Sequence, residues 1–116
     1  MQARINQNQL NQWSSSGDEA GTLFLNQLVR GFVEKIIPTT VEMEARLKTN
    51  DFLSVSKLAH QLKGTAGNLG LTLLHEYCLN VEHEAKSENA TRTDSWIQKL
   101  KEEVPLTLNE FNEVRK

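Results

Sequence analysis

The run Ala59-His60-Gln61-Leu62-Lys63-Gly64-Thr65-Ala66-Gly67-Asn68-Leu69-Gly70 decides how this chain is read. At about 100° per residue, Val55, Leu58, Ala59, Leu62, Ala66 and Leu69 gather on one face of a helix. His60 then points roughly 150° away from the centre of that stripe, on a side that cannot be core. Its neighbours at i−4, i+4 and i+7 are Ser56, Gly64 and Gly67, three small residues that leave an imidazole uncovered, and Lys63 stands one turn on. A glycine inside a helix costs about 1 kcal/mol relative to alanine, so Gly64 needs a reason. Close approach of another molecule to His60 supplies one.

Working outward, helical spacing continues in both directions. Ile5, Leu10 and Trp13 outline a short amphipathic helix, closed by Ser14-Ser15-Ser16-Gly17. Asp18 suits an N-cap, and Leu25, Leu28, Val29, Phe32, Ile36, Met43 and Leu47 then repeat up to Thr49-Asn50. Pro38 interrupts this pattern without shifting its phase, which predicts one long kinked helix over 18–49, or two helices meeting near Ile37-Pro38. Asp51 caps the helix that carries His60, and Leu69-Gly70 stops it. A further helix opens near Thr72 and runs to Lys86, burying Leu74, Tyr77, Cys78, Val81 and Ala85. After a loop at 87–90, Trp96, Ile97, Leu100, Val104, Leu108, Phe111 and Val114 mark a last long helix containing Pro105. No segment alternates with period two, so strands are not expected. The expectation is an all-α chain: an antiparallel four-helix bundle over 18–115 with a short additional helix within 1–14, forming one domain over 1–116.

Composition narrows the function. The chain has 116 residues with 13 basic and 15 acidic side chains and a net charge of −2, which gives no electrostatic reason to expect nucleic acid or an anionic membrane. A single cysteine, Cys78, excludes an intramolecular disulfide and fits a reducing cytoplasm. No apolar run reaches the roughly 20 residues that span a bilayer, and 1–12 is too polar for a signal peptide. His75-Glu76 begins like a zinc-protease HExxH, but Leu79 stands where the second histidine is needed. His75, Glu82 and His83 do not share a face, so no metal site is expected. His75 and His83 read as ordinary surface residues, and Cys78 as a buried one. The glycines of 64–70 follow no strand and make no phosphate-cradling loop.

The tight turn near 69–72 makes the second and third bundle helices antiparallel, pairing positions about residue 71. His60 falls opposite Glu82, Lys63 opposite Leu79, and Gly64 opposite Cys78, with His75, Leu79, Glu82 and Lys86 forming one stripe. A carboxylate beside one imidazole nitrogen can fix the tautomer and leave the other nitrogen as nucleophile. Lys63 and Lys86 can neutralise a dianionic phosphoryl group there.

These residues resemble a known family. His60-Gln61-Leu62-Lys63-Gly64-Thr65, with Leu69-Gly70 at the turn and Cys78 and Glu82 on the next helix, is similar to a histidine phosphotransfer (HPt) domain, and the likeness extends over the whole chain. The resemblance implies a phosphorelay carrier in which His60 takes a phosphoryl group from a receiver-domain aspartate and hands it to another. Lys63 and Gly64 match the family's pair beside the histidine, and Glu82 falls where members commonly carry Gln. The implied partners are receiver domains of response regulators or hybrid sensor kinases. Mg2+ is expected on the receiver, with no cofactor in this chain and no autonomous kinase activity. The chain reads as a cytoplasmic monomer, either free-standing or the cytoplasmic C-terminal part of a membrane-anchored sensor kinase. The receiver is expected to sit over His60, touching Leu53, Ser56, Gly67 and Leu79, with Lys57, Lys63 and Lys86 at the rim. The alternative is a helical docking module for a receiver-like partner whose histidine is never phosphorylated.

Overall fold

The structure, a computed structural model, describes residues 4–12 and 19–114. Five helices follow one another: α1 (Gln7–Asn11), α2 (Glu19–Lys48), α3 (Phe52–Asn68), α4 (Thr72–Lys86) and α5 (Ala90–Val114). Among the described residues there are no strands. The long helix runs unbroken through Pro38, whose ring faces solvent, while the hydroxyls of Thr39 and Thr40 donate to the carbonyls of Lys35 and Ile37 across that turn. A 30-residue helix is about 45 Å long, and α2 sets the 47 Å length of the molecule. The expected short helix is one and a half turns rather than most of 1–14, and Trp13 and Asp18 lie outside the described residues.

Helices α2 to α5 pack as a ring, each against its chain neighbours, with α5 closing on α2 and the tightest pairing between α3 and α4. The apolar stripes read from the sequence meet inside it. Leu25, Val29, Ile36, Met43, Val55, Ala59, Leu62, Ala66, Leu74, Cys78, Val81, Ile97, Leu100 and Phe111 are buried, whereas Leu28, Leu47, Leu58, Tyr77, Trp96 and Leu108 are half-buried at its margin. Burial pushes the Cys78 thiol up to about 12, which leaves it an inert core residue.

The three turns between long helices are built alike. Asn50 and Glu88 have φ of 59° and 57°, and Gly70 has 75°. In each turn the next N–H reaches back to close the helix: Asp51 to the Arg46 carbonyl, Leu71 to Ala66, and Asn89 to Glu84. The side chains of Asp51 and Asn89 then accept from the N–H groups of Ser54 and Arg92 and cap the following helix. Leu71 has no such side chain. Its place is taken by the N-terminal segment, where the Arg4 carbonyl accepts from the Thr72 N–H and the Asn6 N–H donates to the Gly70 carbonyl at 2.6 Å. A Cβ at Gly70 would lie 2.8 Å from the Asn6 carbonyl oxygen, so both the dihedral and the contact demand glycine. Ile5 and Leu10 of this strap are buried, and Arg4 pairs at 2.7 Å with the buried Glu103, which also accepts from Thr107. The strap thus holds the turn that sets α3 against α4.

Candidate functional site

His60 stands in mid-α3 with its side chain 66% exposed, as the direction of the apolar stripe requires. Its Nδ1 lies 3.0 Å from Oε2 of Glu82 on α4, the partner that antiparallel pairing selects. Glu82 is almost wholly buried, yet three cationic or donor groups surround it. Lys63 Nζ is 2.7 Å from Oε1 and Lys86 Nζ is 3.2 Å from Oε2. Burial pushes the Glu82 carboxyl up, but hydrogen bonds from Lys63, Lys86 and His60, with the Lys63 charge, outweigh it and hold the group at about 2. An ionised carboxylate only accepts hydrogen bonds. The proton of neutral His60 therefore sits on Nδ1, and Nε2 on the far side of the ring keeps its lone pair.

The surroundings leave that ring open. A Cβ built on Gly64 would meet nothing within 4 Å. Toward the N-terminal end of α3, Leu53, Ser56, Lys57, His60 and Gln61 join Glu82 and Lys86 around a shallow depression of about 400 Å³. Leu53, which lines this depression, is 67% exposed, and Leu79 on α4 is 43% exposed. Gln61 was not singled out by sequence, although it directly follows His60 and lines the same depression.

Four expectations change. Lys63 is not a freely solvated rim charge: its side chain is 22% exposed and spans to Glu82 rather than to Leu79, since a lysine stem is long enough to follow the helix seam to a carboxylate. Gly67 does not flank His60. A Cβ there would lie 3.0 Å from Nδ1 of His75, so its smallness makes room for that ring, and Gly67 does not line the depression at His60. His75 in turn is no ordinary surface residue, because it is half-buried with Nδ1 3.1 Å from the Lys63 carbonyl. Ser56 lines the depression but is itself buried, forming floor rather than exposed flank. His83 is exposed, as expected. Among the described residues no group of three or more His, Cys, Asp or Glu is placed to hold a metal ion, and no helix is long and apolar enough to cross a membrane.

The exposed His60 is bonded to a carboxylate that two lysines clamp, on an antiparallel helix pair, and a family model of the Hpt domain matches residues 27–110. The chain belongs to the Hpt family. It is a phosphorelay carrier of the kind that works with receiver domains, and such domains carry phosphoryl groups rather than act as kinases. Among solved structures this Hpt domain is similar to the crystal structure of histidine-containing phosphotransfer protein B (HptB) from Pseudomonas aeruginosa PAO1. The TM-score is 0.81 at 21% identity, covering 99% of this chain and 96% of that one. At that identity the likeness establishes a shared fold. Comparison with curated protein sequences finds no match.

Proposed function

We propose that His60 is the residue phosphorylated, taking the phosphoryl group of a receiver aspartate on Nε2 and passing it to a second receiver. The observation that carries this is the Glu82 contact: an exposed ring whose Nδ1 proton is held by a carboxylate kept ionised by Lys63 and Lys86. The Nε2 lone pair attacks phosphorus in line while the aspartyl carboxylate leaves. The product is an Nε2-phosphoimidazolium that still carries its proton on Nδ1. No proton need move, so the chain contributes orientation, a fixed tautomer and nearby positive charge rather than acid–base chemistry. Mg2+ belongs to the receiver's acidic pocket, and this chain needs no cofactor of its own.

Open space at Gly64 supports docking directly over the ring. We place the receiver on Leu53, Leu79 and the depression floored by Ser56, with Lys57 and Lys86 at the rim facing the acidic pocket. Charges at such a rim act chiefly on association rate and salt dependence. In this reading the chain is a cytoplasmic monomer forming one domain, with receivers of response regulators or hybrid sensor kinases as partners, no nucleic acid and no direct membrane contact. Incubation with a phosphorylated receiver should leave acid-labile, base-stable phosphate on this chain, located at His60 by mass spectrometry under alkaline conditions. A His60→Gln protein that accepts phosphate at the normal rate would overturn the assignment.

A further inference from the structure

The carboxylate beside His60 has consequences after phosphorylation as well as before it. Glu82, Lys63 and Lys86 together carry one net positive charge around the ring. A phosphoryl dianion on Nε2 would turn that into one net negative charge, and a proton retained on Nδ1 brings the set to neutrality. The Nδ1 proton also has a dedicated acceptor 3.0 Å away, on a carboxylate with little access to water. Both effects favour the protonated phosphohistidine. Other charges facing the ring are few. Lys57 on α3 lines the same depression, Lys35 on α2 lies in the groove on the other side of Gln61, His83 on α4 points outward, and α5 adds no side chain to the depression.

From this geometry we infer that Glu82 is a positioning residue which keeps phosphorylated His60 protonated on Nδ1 at and above neutral pH, holding it ready to donate. The inference rests on His60 being the residue phosphorylated. In the donating step a carboxylate oxygen of the receiver forms the new O–P bond and the P–Nε2 bond breaks. The bonding pair returns to Nε2 and cancels the ring's positive charge. Neutral imidazole leaves, still bearing its Nδ1 proton. Without that proton the leaving group would be an imidazolate anion, a far poorer one, in a reaction whose transition state places charge on the leaving atom. An amide at position 82 still accepts the hydrogen bond but supplies no charge to hold the proton at higher pH.

The test follows the ring nitrogens and phosphorus of the phosphorylated protein by 15N and 31P NMR across pH 5–10. Phosphoramidate serves as phosphoryl donor, and a phosphorylated peptide of residues 56–64 is the reference without Glu82. The midpoint for Nδ1 deprotonation should lie at least one pH unit higher in the protein than in the peptide. Glu82→Gln should bring it back toward the peptide, and should lower the ratio of transfer rates at pH 8 and pH 6 by about tenfold, one pH unit being a factor of ten in protonation. Equal midpoints in protein and peptide overturn the inference without requiring any variant to fold, while leaving His60 as the acceptor intact. Phosphate found on another residue would instead overturn the assignment of His60 and the inference with it.

Discussion

His60 and His75 sit on the same α3–α4 seam, and each offers Nδ1 across it. Each also has a glycine of α3 close by, Gly64 for the first and Gly67 for the second. His60 meets the carboxylate of Glu82, and the space over Gly64 is empty. His75 meets the Lys63 carbonyl, and its ring fills the space over Gly67. One pair therefore leaves an exposed ring open to solvent and the other fastens two helices. The side chains are the same; what stands opposite them differs. A titratable, lysine-clamped partner makes a site, and a backbone carbonyl makes a strut.

The sharpest way to break this contrast is to exchange each histidine for glutamine. His60→Gln should abolish phosphate uptake and leave thermal stability close to wild type, since the ring is mostly exposed. His75→Gln should accept phosphate from a receiver at a near-normal rate but lose about 1–2 kcal/mol of stability, a part-buried hydrogen bond and its packing. Uptake assays paired with urea unfolding decide it, and a large uptake defect in His75→Gln would erase the distinction.

The two partners also differ in response to acid. Glu82 titrates near 2 in the folded chain against an ordinary 4.5. Its contribution to stability is therefore complete above about pH 4.5 and is lost as pH falls from there toward 2. The carbonyl that holds His75 cannot titrate at all. Wild type should lose stability more steeply than Glu82→Gln over that window, by up to a few kcal/mol, in urea unfolding at stepped pH. Parallel slopes would mean that the carboxylate is not held as described.

The glycines give a smaller, oppositely signed pair. Gly67→Leu must displace the His75 ring and should cost about 1–3 kcal/mol. Gly64→Ala should gain up to about 1 kcal/mol from helix propensity, with nothing in the way of its methyl group. Gly64→Gln should keep that stability yet slow transfer by obstructing the receiver. Smallest of all, Leu53→Asp on the exposed rim should weaken receiver binding by about 1 kcal/mol, roughly fivefold in Kd, with an unchanged circular dichroism spectrum.

Much of this was legible in the chain because helices declare themselves locally. The stripe from Val55 to Leu69 fixed which way His60 faces, Asp51 announced a helix start, and antiparallel pairing about residue 71 chose Glu82 as the histidine's partner. Period and turn position are properties of neighbouring residues, so no knowledge of the rest of the molecule is needed. The misreadings arose where distance along the chain ceases to measure distance in space. Gly67 lies on the His60 side of an ideal wheel, yet a ring from α4 occupies its flank. Lys63 looks solvated until the reach of its stem along the seam is known. The strap of 4–12 carries only a weak apolar pattern, and it took the folded chain to put the Arg4 carbonyl on Thr72 and the Arg4 guanidinium on Glu103. Sequence alone determined the helices, their order and the outward histidine, because hydrophobic period and caps act within a few residues. The tertiary structure decided which glycine is empty, which lysine is clamped and which histidine is a strut, because those depend on the side chains that a second helix brings to the seam.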